Sequence, residues 1–347
     1  MDQNSSIFNF RALKIPFTVL ALYLVLEIVF RIYFFGVHTV FNWKKFNPQG
    51  ILVTDIAHKV SDPNISWKLT PNINKYFKTK MFTTNSLGLR NPEIQLNKQI
   101  GITRISVLGR SVTMGAGVND DEVYTSVLQK KLDEWKPDAY EIINCAVGGY
   151  NIKQMAEYYE SYVSLLKPDL VFLPITKSDL TKFIPDKPLP FEAAIPEHTN
   201  LRYYLSFSFI YESARLLAKR ITNKTISTDW NDRLRETMDL AEPTIKASVI
   251  LSRFLNKLNK DEIPCYVYSA RRSNQFNKEY LELSRNQMKN WVQQHEGAVF
   301  LNSDDYIIEN FSNDHTVYFG DNHPSAEMHR VMANALFENM KYRYSQK

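Results

Sequence analysis

Four short segments of this chain hold the residue types that ester chemistry needs. The first, Gly109-Arg110-Ser111-Val112-Thr113, is followed by Gly115 and Gly117, and comes between the apolar run TRISVLG and a helical pattern. A serine so placed points its hydroxyl out of a sheet edge, and the N–H groups that open the following helix can bind an oxyanion. The second, Asn144-Cys145-Ala146-Val147-Gly148-Gly149-Tyr150, closes the next apolar run. There Gly149 can offer its N–H to a developing negative charge with no side chain in the way. The third, Thr176-Lys177-Ser178-Asp179, ends another such run. The fourth, Gly320-Asp321-Asn322-His323-Pro324-Ser325-Ala326, precedes the last helical stretch and sets a carboxylate two residues before a histidine. That pair can act as an oriented general base. Singly, such turns and histidines are ordinary structural features. Four of them in order at strand ends point to Ser111 as a nucleophile served by His323 and Asp321.

The elements that must hold these segments can be read from periodicity. TRISVLG (103–109), AYEIINCAV (139–147), PDLVFLPI (168–175), EIPCYVYSA (262–270) and GAVFLN (297–302) read as strands. DDEVYTSVLQKKLDEW reads as a helix with acids in its first turn. NIKQMAEYYESYVSLLK, TIKASVILSRFLNKLNK, the stretch around KEYLELSRNQMKNWVQQHE, and AEMHRVMANALFENM read as further helices. Strand, loop and helix in repetition give an α/β fold, a parallel sheet flanked by helices, with ligands at the carboxyl ends of the strands. A helical insertion at about 181–260 includes the aromatic stretch LRYYLSFSFIYESARLLAKR. Its aromatic stripe suits a packing face, the wall of an acceptor groove or contact with a bilayer.

Ahead of this domain (101–347) the chain reads as a tail (1–14), a transmembrane anchor (15–37) and a small β-rich connector (38–100). The anchor, IPFTVLALYLVLEIVFRIYFFGV, is close to the ~20 residues that cross a bilayer. Glu27 and Arg31 interrupt it four residues apart, where they share a helical face and neutralise each other, with Arg31 free to reach toward the headgroups. No small-residue processing site follows, so a retained anchor is expected rather than a cleaved signal peptide. Basic residues are balanced on its two sides, and the positive-inside rule does not orient it. In the connector, KYFKTKMFTTNSLGLR alternates as a hairpin does.

Composition narrows the function classes. Basic residues outnumber acidic ones by 42 to 37 and are spread out, with no cationic block interleaved with aromatics, so no nucleic-acid partner is expected. The mild positive excess suits an anionic membrane or an acidic polymer equally well. Cys145 and Cys265 lie in apolar runs and read as buried small hydrophobes. No CxxC, HExxH or paired histidines occur, so neither metal nor cofactor is expected.

The four segments resemble the four blocks of the SGNH (GDSL-like) hydrolase superfamily over about residues 101–340, and the front region SWKLTPN…TTNSLGLRNPE is similar to its bacterial membrane-anchored members. The resemblance implies a three-layer α/β/α sandwich with a flavodoxin-like parallel sheet. It casts Ser111 as nucleophile, Ser111 and Gly149 as oxyanion N–H donors, His323 as base and Asp321 as the acid that orients it. The family's Gly-Asp-Ser is Gly109-Arg110-Ser111 here. Its side-chain oxyanion donor, an asparagine, is replaced by Ser178. Many members space acid and base by three residues rather than two, which makes Asp314 an alternative acid. Arg110 then either binds an anionic group of the substrate or forms a surface ion pair.

The implied activity is removal or transfer of a small acyl group, such as acetyl, on a sugar or cell-envelope polymer. Such an enzyme would be a single-pass membrane protein with its catalytic domain on the outer face. The changes at Arg110 and Ser178 motivate the competing expectation, a non-catalytic member that binds glycan or scaffolds an envelope assembly. The anchor and the aromatic insertion suggest lipid hydrolysis as a third.

Overall fold

The computed structural model describes residues 10–35, 37, 40, 56–78, 80–175, 179, 205, 208–211, 214, 218, 245–269, 285–286, 288–310 and 323–345. Its first element, helix α1 (Phe10–Phe35), contains residues Lys14–Tyr33, which are long and apolar enough to cross a membrane. Most of its large apolar side chains are exposed, whereas Glu27 and Arg31 are buried. Arg31 Nε donates to Glu27 Oε1 at 2.7 Å. The mutual neutralisation expected from their spacing is present, but Arg31 is turned inward by the carboxylate instead of reaching out to a headgroup layer.

Two antiparallel pairs make the connector β-rich. Strands β1 (Ala57–Lys59) and β2 (Trp67–Leu69) form one, and β3 (Asn74–Phe77) and β4 (Lys80–Thr83) form the other. The second is the hairpin read from the alternating segment. The first is too short for a period-2 signal to stand out. Ile56, Ile65, Trp67, Leu69, Phe77 and Phe82 are buried in the same apolar core as one face of the main sheet.

That sheet has five parallel strands, β5 (Thr103–Val107), β6 (Tyr140–Asn144), β7 (Leu170–Ile175), β8 (Cys265–Ser269) and β9 (Ala298–Leu301), in the spatial order β6-β5-β7-β8-β9. This is the flavodoxin-like order, in which the first strand lies inside the sheet, second from its edge, and the chain reverses its winding between first and third. Strand β7 is buried along its whole length, as a parallel strand covered on both faces must be. Leu170 and Phe172 join one core, while Val171, Leu173 and Ile175 join the other.

Helices α3 (Tyr124–Trp135) and α7 (Ala326–Ser345) cover the first face, through Tyr124, Leu128, Leu132, Met328, Met332 and Leu336. Helices α4 (Ile152–Tyr158) and α5 (Ile245–Lys260) cover the second, so the body is a three-layer α/β/α sandwich. Short helices α2 (Ser111–Met114) and α6 (Asp304–Asn310) are also described, as is a helical stretch at 288–292 whose Met288 and Val292 join the second core, within the stretch read as a helix around KEYLELSRNQMKNWVQQHE. Two helical expectations are revised. The stretch from Ile152 is regular only to Tyr158, then widens into a π turn (159–163) and closes as a 3-10 turn (164–166). The acids Asp120–Glu122 form a separate 3-10 turn before α3, capped by Asn119, rather than the helix's own first turn.

They are separate because Asp120 has another task. The Arg90 guanidinium is buried beneath the loop that follows α2, where its Nε donates to Asp120 Oδ1 at 2.7 Å. Its Nη1 donates to the Met114 and Gly115 carbonyls, and its Nη2 to those of Met81 and Val118. Asp120 also accepts from the N–H and hydroxyl of Thr83, and Asn119 from the Met81 N–H. One side chain thus joins the β3–β4 hairpin to the Ser111 loop. Arg90→Lys should lower the unfolding free energy by roughly 2–4 kcal/mol, because an ammonium has three donors and cannot span five acceptors. Denaturant titration of the detergent-solubilised chain would measure it.

Candidate active site

Strand β5 delivers the first segment into a tight bend. Gly109 adopts φ +149°, and a Cβ there would lie 2.4 Å from Thr113 Oγ1, so only glycine lets the chain enter α2 this closely. Ser111 is the first residue of α2 and half-buried, while Val112, Thr113 and Met114 behind it are buried. Gly115 ends the helix in the left-handed region at φ +80°, with the Arg90 guanidinium beneath it. Arg90 and Val123 occupy the space a side chain at 115 would need.

The second segment is fastened to the first. Val147 N–H donates to the Gly109 carbonyl at 3.2 Å, and Cys145 N–H to the Val107 carbonyl at 2.9 Å. Asn144, at the end of β6, donates to the Thr113 carbonyl at 2.7 Å and to Thr125 Oγ1 at 3.1 Å, and accepts from the Ala146 N–H. Gly149 is exposed at φ +86°. Trp67 of β2 supports it, donating from Nε1 to the Gly148 carbonyl at 3.1 Å, with its ring 3.2 Å from where a Gly149 Cβ would lie. The buried Tyr150 hydroxyl donates to the Trp67 carbonyl. Among the described residues neither the Ser111 nor the Gly149 N–H donates to another group, so both remain open to a ligand. Both cysteines are buried and unpaired as expected, and burial pushes the Cys145 thiol up to about 12.

Of the third segment, Asp179 is described and Ser178 is not. Asp179 is buried at the carboxyl end of β7 and forms an ion pair with Arg110, Nη1 to Oδ1 at 2.5 Å. The Arg110 side chain keeps 21% of its surface exposed beside Ser111. Of the two roles open to Arg110, an ion pair is therefore present, though its partner is a buried acid of the third segment. In the fourth segment His323 is half-buried just before α7, whose first turn is capped by Ser325 through the Met328 N–H at 3.3 Å. Lys78, at the tip of the β3–β4 hairpin, brings its Nζ to 3.3 Å from His323 Nδ1. An ammonium can only donate, so in a neutral imidazole this contact leaves the proton on Nε2. Among the described residues no hydrogen bond joins Ser111 to His323. Asp321 and the alternative acid Asp314 lie outside the described residues.

Several residues that organise the site escaped the motif reading. Arg90 and Trp67 come from the connector, within the segments SWKLTPN and TTNSLGLRNPE, which carried a resemblance but no role for either residue. Tyr124 links two layers, its hydroxyl bonded to Thr113 Oγ1 at 3.1 Å and to the Tyr268 hydroxyl at 2.8 Å. His329, six residues after His323, is fully buried and stacks on Tyr124, and its Nδ1 accepts the Tyr124 N–H at 3.2 Å. Burial, with the nearby Arg90 and His323 charges, pushes its pKa down to about 3. Two clefts lie away from these residues, one between α4 and α5 lined by Lys153, Lys246, Val249, Ile250 and Arg253, the other around Tyr266, Arg285 and Asn302.

No family model matches the chain, and no curated protein does. Solved structures similar to it include TesA, at 11% identity and a TM-score of 0.43, covering 69% of this chain and 98% of that one. The acetylxylan esterase Axe2 from Geobacillus stearothermophilus is similar at 12% identity and a TM-score of 0.42, over 70% of this chain and 96% of that one. A protein of the G-D-S-L family from Desulfitobacterium hafniense is similar at 12% identity and a TM-score of 0.40, over 68% of this chain and 99% of that one.

The neutral state of His329 makes stability depend on pH. Its folded-state value lies below its ordinary 6.5, so between about pH 6.5 and 3 the unfolded chain binds more protons. The stabilisation is complete above that window and is lost as pH falls through it, at up to about 1.4 kcal/mol per unit. His329→Gln keeps an acceptor for the Tyr124 N–H but removes the titration. Its melting temperature should fall less steeply from pH 6.5 to 4 than that of the parent, as thermal scans across pH would show.

Proposed function

We propose that the chain is an SGNH-type serine esterase or O-acyltransferase that acts on small acyl esters, such as acetyl, of a sugar or cell-envelope polymer. The observation that carries this reading is Ser111 itself: a half-buried serine opening a helix at the carboxyl end of β5, with its own N–H and that of Gly149 unengaged. In this reading Ser111 Oγ attacks the ester carbonyl carbon while His323 takes its proton, and Asp321 orients the imidazole. The tetrahedral oxyanion is held by the N–H groups of Ser111 and Gly149, with Ser178 in the place of the family's asparagine. Losing one such donor typically costs about 10²–10³ in rate, so a slow enzyme is the natural outcome. As the tetrahedral species collapses, the bond to the alkoxy oxygen breaks and His323 returns the proton to it. Water, or a hydroxyl of an acceptor sugar, then attacks the acyl-enzyme and releases Ser111.

Arg110, oriented by Asp179, would meet an anionic group of the polymer through the part of its side chain that stays exposed. The single-pass anchor α1 would hold the domain on the outer face, where such polymers lie. The non-catalytic alternative draws on the Lys78 contact: a base whose Nδ1 faces an ammonium carries its proton on the nitrogen that should accept from Ser111.

A fluorophosphonate probe for activated serines separates the two. Labelling of the full chain in detergent should occur and should disappear in Ser111→Ala and in His323→Ala. A folded chain that takes no label would be a binding or scaffold protein. Ser178→Asn should raise turnover of an aryl acetate and Ser178→Ala lower it, and indifference to both would remove Ser178 from the oxyanion site. If the Lys78 ammonium holds His323 in the unproductive tautomer, Lys78→Met should label several-fold faster, whereas slower labelling would make Lys78 part of the working site.

A further inference from the structure

The anchor helix carries a polar patch whose partner lies about 180 residues away, in the insertion between β7 and α5. Glu27 is 1% exposed in a helix whose other side chains mostly point outward. Its carboxylate accepts from Arg31 Nε at 2.7 Å, from Ser208 Oγ at 2.9 Å, and from the N–H groups of Phe209 and Ile210 at 2.6 and 3.0 Å. Ser208 Oγ accepts from the Tyr211 N–H at 3.0 Å and contacts the Tyr23 hydroxyl one helical turn from Glu27. A carboxylate offers about four lone-pair sites, so these four donors saturate it. The N–H groups it satisfies open a helical turn at Phe209–Tyr211, where orphan donors and a partial positive charge call for an anion.

The depth of this junction gives it meaning. At 1.5 Å per residue, Glu27 lies about 9 Å inside the Tyr33 end of the apolar span, within a hydrocarbon layer about 30 Å thick. At that depth no water can satisfy a carboxylate or a free N–H, and an ion pair with Arg31 alone would leave most of the carboxylate bare. The helix therefore needs the Ser208 turn, and the turn needs Glu27. The described side chains around the turn suit a lipid neighbour: Leu205 is exposed, Phe209, Ile210 and Tyr211 are half-buried, and Ala214 and Ala218 are small, apolar and exposed.

We propose that the Ser208–Tyr211 turn enters the bilayer beside α1 with Glu27 as its cap, so that the chain grips the membrane at two points rather than one. The partner of this surface is lipid hydrocarbon. The inference requires α1 to lie in a bilayer and is independent of any chemistry at Ser111.

The test uses the full chain in phosphatidylcholine–phosphatidylglycerol vesicles, with an environment-sensitive fluorophore on Leu205→Cys. Ile100→Cys, on the exposed connector, serves as an aqueous reference, and both native cysteines are buried. Doxyl groups on the lipid acyl chains should quench the Leu205 probe several-fold more than the Ile100 probe, and a membrane-impermeant quencher should do the reverse. Glu27→Leu should abolish the difference and Glu27→Gln should retain part of it, with carbonate-resistant membrane association showing that α1 is still inserted. Should Glu27→Leu fail to insert, Glu27→Gln carries the comparison. A Leu205 probe quenched from water as readily as the Ile100 probe in the parent chain overturns the proposal, as does quenching that neither Glu27 variant changes.

Discussion

The candidate site depends on one buried cation. Arg90 presents five N–H donors in a rigid plane, and five acceptors from two separate pieces of chain, Met81 and the stretch 114–120, converge on them. Three of those acceptors are carbonyls of the loop behind Ser111. That loop turns through two glycines in the left-handed region; its Gly115 carbonyl also accepts from the Val118 N–H, while among the described residues Arg90 is the donor to the Met114 and Val118 carbonyls. Burial works against the charge on Arg90, and Asp120 opposes that tendency. The Ser111 loop is thus held from below by a residue that lies outside the α/β body, which makes the connector a structural part of the site.

The same dependence recurs at each segment. Trp67 from β2 supports the Gly148–Gly149 turn, and Lys78 from the hairpin tip meets His323. The main sheet supplies the strand ends, and its winding switches between β5 and β7. The connector adds its contacts to those strand ends from one side. A residue as remote in sequence as Lys78 can therefore influence which imidazole nitrogen carries the proton.

The first and third segments are joined by an ion pair. Arg110 stands beside Ser111, and its partner is the buried Asp179 of the third segment. A buried carboxylate beside β7 needs a counter-charge, and Arg110 supplies it while keeping part of its guanidinium at the surface. The pair bridges the carboxyl ends of β5 and β7 on either side of the switch point. Position 110 is thereby tied to the third segment.

Sequence alone determined the layer architecture, because period-2 runs and helical stripes record which faces are apolar, and a parallel strand covered on both sides is apolar throughout. It also determined Ser111 and Gly149 as residues at strand ends, because glycine is needed where the backbone turns tightly. The pairing of Glu27 with Arg31 was legible from their four-residue spacing, but the turn around Ser208 that completes it was not. Arg90, Trp67, Lys78 and Asp179 acquired their roles only in the tertiary structure. Each acts by long-range contact, with Arg90 reaching across 24–30 residues to the Ser111 loop and Lys78 across 245 to His323. Local pattern encodes which face of an element is buried. Which carbonyl a buried guanidinium satisfies, or which nitrogen an ammonium meets, is decided when distant segments pack and every polar group left inside must find a partner.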